Sequence, residues 1–332
     1  MPLIDTGYKR WDGRHRGIWY RRFVIASAGL RACLASQWTK RFVGLAWMAC
    51  LAQIAILFFV GQLLVPDSIV VTFLGNLGPA LQSLGRGLMT WLVEHPEVSV
   101  HTVYNLLFYF FSTVLSTISF IAVALALPHL ITLDLSSRAI LVYSSKAVNR
   151  FDYLLGKFGV IFGLLTLTWL GPIVVAWVMG NTLAPNWNFF WHSRIALLNT
   201  LQYVGVSMII LSVLGLGVSA TSSKEKSVAG IWFIIWILGN AFVPIGFQTK
   251  AWLKHLSFSY NFDQIALASF RLRQDIEVAR ESIPVINQML PRPMRRGDVM
   301  FMQDAELVGA AIGLGIMVVI ALIVLRKQVK PE

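Results

Sequence analysis

Six stretches of the chain are long, apolar and free of Asp, Glu, Lys and Arg: residues 42–64, 104–133, 158–180, 195–220, 227–249 and 307–325. As helices rising about 1.5 Å per residue, they match the roughly 30 Å of hydrocarbon in a bilayer. A helix in lipid satisfies its own backbone hydrogen bonds, so these runs need no amphipathic pattern to be stable. The segment before them differs. From Ile18 to Arg41, Trp19, Tyr20, Phe23, Leu30, Leu34 and Trp38 alternate with Arg21, Arg22, Arg31, Lys40 and Arg41. Aromatic rings and cations in that mixture suit the headgroup layer and predict an interfacial helix. Residues 69–93 are also fairly apolar, but Gly75, Gly78, Pro79, Gly85, Arg86 and Gly87 interrupt them. They read as an amphipathic or re-entrant outer segment rather than a seventh span.

The expected fold class is therefore an all-α integral membrane protein with six transmembrane helices and an N-terminal interfacial helix. Its parts are a basic segment 1–41, a six-span domain 42–326 with outer segments 65–103 and 250–306, and a tail 327–332. In the second outer segment, helices close to the membrane are expected first. A solvated loop should follow around Pro284 to Arg296, where Pro291 and Pro293 oppose continuous helix.

Positive charge orients the spans. Lys9, Arg10, Arg14, Arg16, Arg21, Arg22, Arg31, Lys40 and Arg41 precede the first. Arg138, Lys146, Arg150 and Lys157 follow the second, Lys224 and Lys226 the fourth, and Arg326, Lys327 and Lys330 the sixth. The two shorter loops on the other side hold only Arg86 and Arg194. This places both termini in the cytoplasm, and a seventh span at 69–93 would destroy the asymmetry.

Composition agrees. Only 13% of the 332 residues are charged and 56% are hydrophobic, against about 25% charged in an average soluble domain. The formal net charge of +12 would fit nucleic acid if it formed a solvated face. The cations instead gather at the ends of apolar runs, so no nucleic-acid partner is expected. The polar first 17 residues predict no cleaved signal peptide. Cys33 and Cys50 form no disulfide framework, and the six histidines lack metal-ligand spacing. No cofactor is expected.

Nucleotide motifs fail on inspection. Gly156-Lys157 is the only Gly-Lys pair, and Phe151 and Phe158 stand where a phosphate loop needs glycine and a hydroxyl. Gly215, Gly217 and Ala220 fit a dinucleotide pattern but lie in an apolar helix. The chain is not expected to hydrolyse ATP alone, and no catalytic residues are assigned. At mid-membrane depth the spans offer only uncharged polar groups such as Asn199, Gln202 and Asn240. That disfavours a carrier driven by an intramembrane carboxylate. Gly309 and Gly313 form a small-x-x-x-small pair, fit for helix packing against a neighbour or within the chain.

The most specific stretch lies between the second and third spans. Ala139 to Tyr143, Arg150, and Asp152-Tyr153-Leu154-Leu155-Gly156-Lys157 resemble the permease subunits of ATP-binding-cassette transporters of the type-2, export class. Leu256 to Asp263 is similar to the family's segment after the fifth span. The layout of interfacial helix, six spans and a long outer segment before the last span resembles the family across nearly the whole chain. The family's usual proline near Ala147 is missing.

The resemblance implies a permease subunit in the cell membrane, here the cytoplasmic membrane of a bacterium, that exports an unidentified substrate. It further implies two partners besides the lipid bilayer: a separate ATP-binding subunit carrying a P-loop, and a second permease subunit completing a homo- or heterodimer. The segment Ser136 to Arg150 would contact the ATP-binding partner, with Ser136, Arg138, Tyr143, Lys146 and Arg150 as coupling residues. Two alternatives stay open. One is a structural or assembly subunit without transport. The other is a membrane-embedded enzyme, for which His129 and Asp134 are the nearest approach to a cluster.

Overall fold

The computed structural model describes residues 17–65, 68–76, 79–137, 149–283 and 303–328. Among them the chain is helical and contains no strand, and six helical stretches are long and apolar enough to cross a membrane. The protein is an all-α membrane protein with six transmembrane helices.

α1 (Ile18–Ala35) precedes the first span, α2 (Gln37–Gln62). Two short helices, α3 (Ile69–Asn76) and α4 (Pro79–Glu94), follow in the fairly apolar stretch at 69–93. The second span is α5 (Pro96–Ala126), continued through a 3₁₀ turn (Leu127–His129) into α6 (Ile131–Ser136). The third comprises α7 (Arg150–Leu165), a π-helical turn (Thr166–Leu170) and α8 (Gly171–Thr182). Pro172, which lacks an N–H for the helical ladder, sits just after that π turn. The fourth and fifth spans are α9 (Asn188–Ser219) and α10 (Glu225–Gln248). A 3₁₀ segment (Ala251–Leu256), α11 (Phe258–Phe270) and α12 (Leu272–Ser282) lead towards the last span, α13 (Leu307–Gln328).

Burial separates the spans into two groups. In the most apolar 18 residues of each span, 56%, 44% and 50% of the residues of the second, third and fourth are buried within the chain, against 22%, 17% and 17% in the first, fifth and sixth. The outer group therefore leaves most of those residues at least partly open to lipid or to another protein. α1 does not stand apart from the bundle. It packs along α7, where Gly156, Gly159 and Gly163 present a stripe to Ile25, Ala26 and Leu30, and Gly29 meets Val160. A side chain at Gly29, Gly156 or Gly159 would force a neighbour to shift, the small-residue logic of helix contacts in lipid. At the start of α1, Trp19, Tyr20 and Phe23 remain exposed.

Helices follow the fifth span, as expected for the start of the second outer segment, but the chain first turns back along α10. Instead of staying at the end of α10, residues 251–258 run back beside it. Lys254 lies against Gly246, and Leu256 and Ser257 against Gly239. Phe258 reaches the rings of Phe120 and Trp232, at centroid distances of 5.2 and 6.0 Å. The hairpin backbone thus comes level with Gly239, near the middle of that span, and the Phe258 ring reaches on towards Trp232. α11 then returns until the Phe270 carbonyl accepts from Asn105 Nδ2 at 2.6 Å. Arg271, with φ of 50°, turns the chain into α12 through a left-handed conformation. Gly309 and Gly313 of the last span face His255 and Asn261, so both glycines lie against this hairpin of their own chain.

Candidate functional site

Side chains around the two described ends of the family-like segment, Ser136 and Asn149–Arg150, form a polar node. Asp134 is almost fully buried. Its Oδ2 lies 2.7 Å from Lys157 Nζ and accepts from the Tyr153 hydroxyl at 2.5 Å. Lys157 also donates to the Leu130 carbonyl at 3.1 Å. These contacts tie the end of the second span to the first turns of the third.

The fourth span joins through Ser219. Its hydroxyl accepts from the backbone N–H groups of Ile131 and Thr132 at 3.0 and 3.3 Å and donates to the Leu127 carbonyl at 2.9 Å. Thr132 returns a bond to the Ser219 carbonyl at 2.7 Å. Those partners satisfy backbone groups freed where α5 gives way to the 3₁₀ turn and α6. On the interfacial helix, Arg22 reaches Asp152 with Nε at 2.8 Å and Nη2 at 2.6 Å, and stacks over Trp19. Arg150 donates from Nη2 to the carbonyls of Leu325 and Arg326, at 2.9 and 2.6 Å, near the end of the last span. A cation on those terminal carbonyls is the favourable sign for a helix C-terminus.

Of the residues assigned to coupling, Arg138, Tyr143 and Lys146 lie outside the described residues. Ser136 is exposed and donates to the Leu133 carbonyl at 2.8 Å. Arg150 is half-buried, with its guanidinium engaged inside the chain. Asp134 and Ser219 were not singled out from sequence as partners of this segment. The signal for Asp134 was present: a carboxylate at the end of an apolar run, with Lys157 entering the next one. Nothing in the sequence points to Ser219, since serine in a helix is common.

A second polar region lies within the bundle, contributed by α11 rather than by one of the six spans. Asp263 of α11 lines a cavity together with Asn240, Thr117 and Trp236. Burial pushes its carboxyl up to about 7. Sequence alone does not point to Asp263, because it lies outside the six charge-free runs, in the stretch 250–306 that reads as an outer segment. Where the hairpin meets α13, Glu306 gathers Lys254 (2.7 Å), His255 (3.3 Å) and the Tyr260 hydroxyl (3.3 Å). Burial opposes charge on both partners there. For Lys254, the hydrogen bonds and charges of Glu306 and Tyr260 outweigh burial and raise its value. For Glu306, Lys254, Tyr260 and His255 outweigh burial and lower it.

Among the described residues no group of three or more His, Cys, Asp or Glu side chains could hold a metal ion. Searches of family models, curated proteins and solved structures find no match to this chain.

Proposed function

We propose that the chain is the permease subunit of an ATP-binding-cassette transporter of the export class, working with a second permease subunit and a separate ATP-binding subunit. In this reading the segment Ser136–Arg150 faces the cytoplasm and receives the ATP-binding partner, with Ser136, Arg138, Tyr143 and Lys146 towards that partner. The node at the two ends of the segment carries the reading. A push on the segment reaches the second span through Asp134, the third through Tyr153 and Lys157, the fourth through Ser219, and the sixth through Arg150. Rigid links from one boundary segment to four spans are what a coupling element needs to turn closure of a soluble subunit into rigid-body motion. Arg150 serves that task as a link within the chain. The thinly buried first, fifth and sixth spans leave apolar surface for the second permease subunit.

The test is a photo-crosslinker at Tyr143 in the full chain, expressed in its native membrane. The expected product is a crosslink to a chain that binds ATP and carries a P-loop. A crosslinker that reacts only with lipid, in membranes where the protein is abundant and inserted, would refute the coupling assignment.

A further inference from the structure

The cavity beside Asp263 has a volume of about 290 Å³, at the small end for ligand sites. Its walls include six aromatic rings, those of Phe120, Trp169, Tyr203, Trp236, Phe258 and Phe262, and among the described residues no lysine, arginine or histidine lines it. Asp263 makes no hydrogen bond or ion pair with a described residue. Trp169 is fully buried, and its indole N–H has no acceptor among the described residues. Thr113 and Thr117 line the cavity and are exposed, so it opens along that face of α5.

An isolated carboxylate within a span bundle is costly, and such groups ordinarily pair with an opposite charge or face a pathway. No described lysine, arginine or histidine supplies that charge here, which leaves the place to a cation from outside the chain. Aromatic faces attract a cation through their quadrupoles, most strongly one that sheds its water readily, which favours an organic ammonium over a hydrated metal ion. We propose that this cavity binds an organic ammonium cation, with Asp263 as the counter-ion and the aromatic rings as its walls. The charge sits beside Asp263 and the apolar body of the ligand lies among the rings. The unpaired Trp169 N–H is a donor for a polar group on the same molecule. Binding at this site does not depend on coupling to an ATP-binding subunit.

The experiment uses the purified full chain in a non-ionic detergent and follows quenching of tryptophan fluorescence. One arm titrates benzyltrimethylammonium, and a second its uncharged isostere, neopentylbenzene. The expected result is saturable quenching by the cation, at least ten-fold weaker binding of the isostere, and at least ten-fold loss of cation affinity in Asp263→Asn. A third arm repeats the titration in nanodiscs of phosphatidylcholine and of phosphatidylglycerol. Competition only in phosphatidylcholine identifies the lipid headgroup as the ammonium source; equal binding in both identifies a free cation. Either result supports the site. Equal affinity for cation and isostere in the wild-type chain would overturn it, and that comparison needs no variant to fold. A carboxyl that titrates near neutrality but is indifferent to the cation would equally overturn it, leaving a proton site.

Discussion

At the scale of single residues, the pair with most at stake is Asp134 with Lys157. Removing one partner of a buried pair strands the other charge, which typically costs about 3–5 kcal/mol, whereas removing both is far milder. Asp134→Asn is expected to destabilise the chain by about 3 kcal/mol, and Asp134→Asn with Lys157→Met by clearly less than the sum of the two. Unfolding in mixed micelles for the four members of the cycle measures this, and strict additivity would mean that the 2.7 Å contact carries no coupling energy. Glu306 gives a pH-dependent case. Its folded-state value is lowered, so its contribution is present above the ordinary glutamate value and is lost as pH falls through the lowered one. Lys254 is raised, so its share persists through neutrality and is lost only in alkali. The melting temperature of Glu306→Gln is therefore expected below wild type at neutral pH and equal to it in strong acid. A difference that stays constant with pH would contradict the ion pair.

Individual elements were legible in the sequence to very different degrees. The six spans were readable because nothing but membrane burial accommodates long runs without charge, such as residues 307–325. The re-entrant hairpin was not. Its 251–270 stretch contains Lys254, His255, Asn261 and Asp263, which in isolation read as solvated. His255 and Asn261 bond each other within the hairpin, but Lys254 is satisfied by the distant Glu306 and Asp263 is enclosed by a cavity whose walls come largely from other spans. The permissive signal was the glycines. Gly239 and Gly246 sit two turns apart on α10, and Gly309 and Gly313 one turn apart on α13, with the descending arm between them. The motif at 309–313 was legible as a packing site, but its partner was not. A Cβ on Gly313 would meet the His255 carbonyl at 2.7 Å and Asn261 Nδ2 at 2.8 Å, so the arm must shift to admit valine. Gly313→Val is expected to cost about 2–3 kcal/mol by overpacking and to expose a cysteine placed at Ser257 to a water-soluble thiol reagent. Unchanged protection of that cysteine would mean that the arm is not held by this contact.

For the whole molecule, composition and charge placement were enough to define a membrane protein, while the coupling role rests on a short family-like segment and on the node that anchors it. The node was only partly readable, since Asp152, Tyr153 and Lys157 stand in the motif but Ser219 and the carbonyls of Leu325 and Arg326 are joined to it by tertiary packing alone. The account separates two kinds of substitution around the same segment. Tyr143→Ala removes an anchor assigned to the partner, whereas Arg150→Ala cuts the link to the last span. The most direct measurement is ATP hydrolysis by the chain purified from its native membrane, made alongside a tally of what copurifies. The account predicts no turnover by the chain alone and turnover by a complex with a P-loop subunit. Tyr143→Ala should lose that subunit, since truncating an interface anchor costs more than about 1 kcal/mol. Arg150→Ala should keep it bound while losing stimulation by transported substrate. A chain that purifies without any ATP-binding subunit, or double substitution of Tyr143 and Arg150 with wild-type copurification and stimulation, would contradict the account.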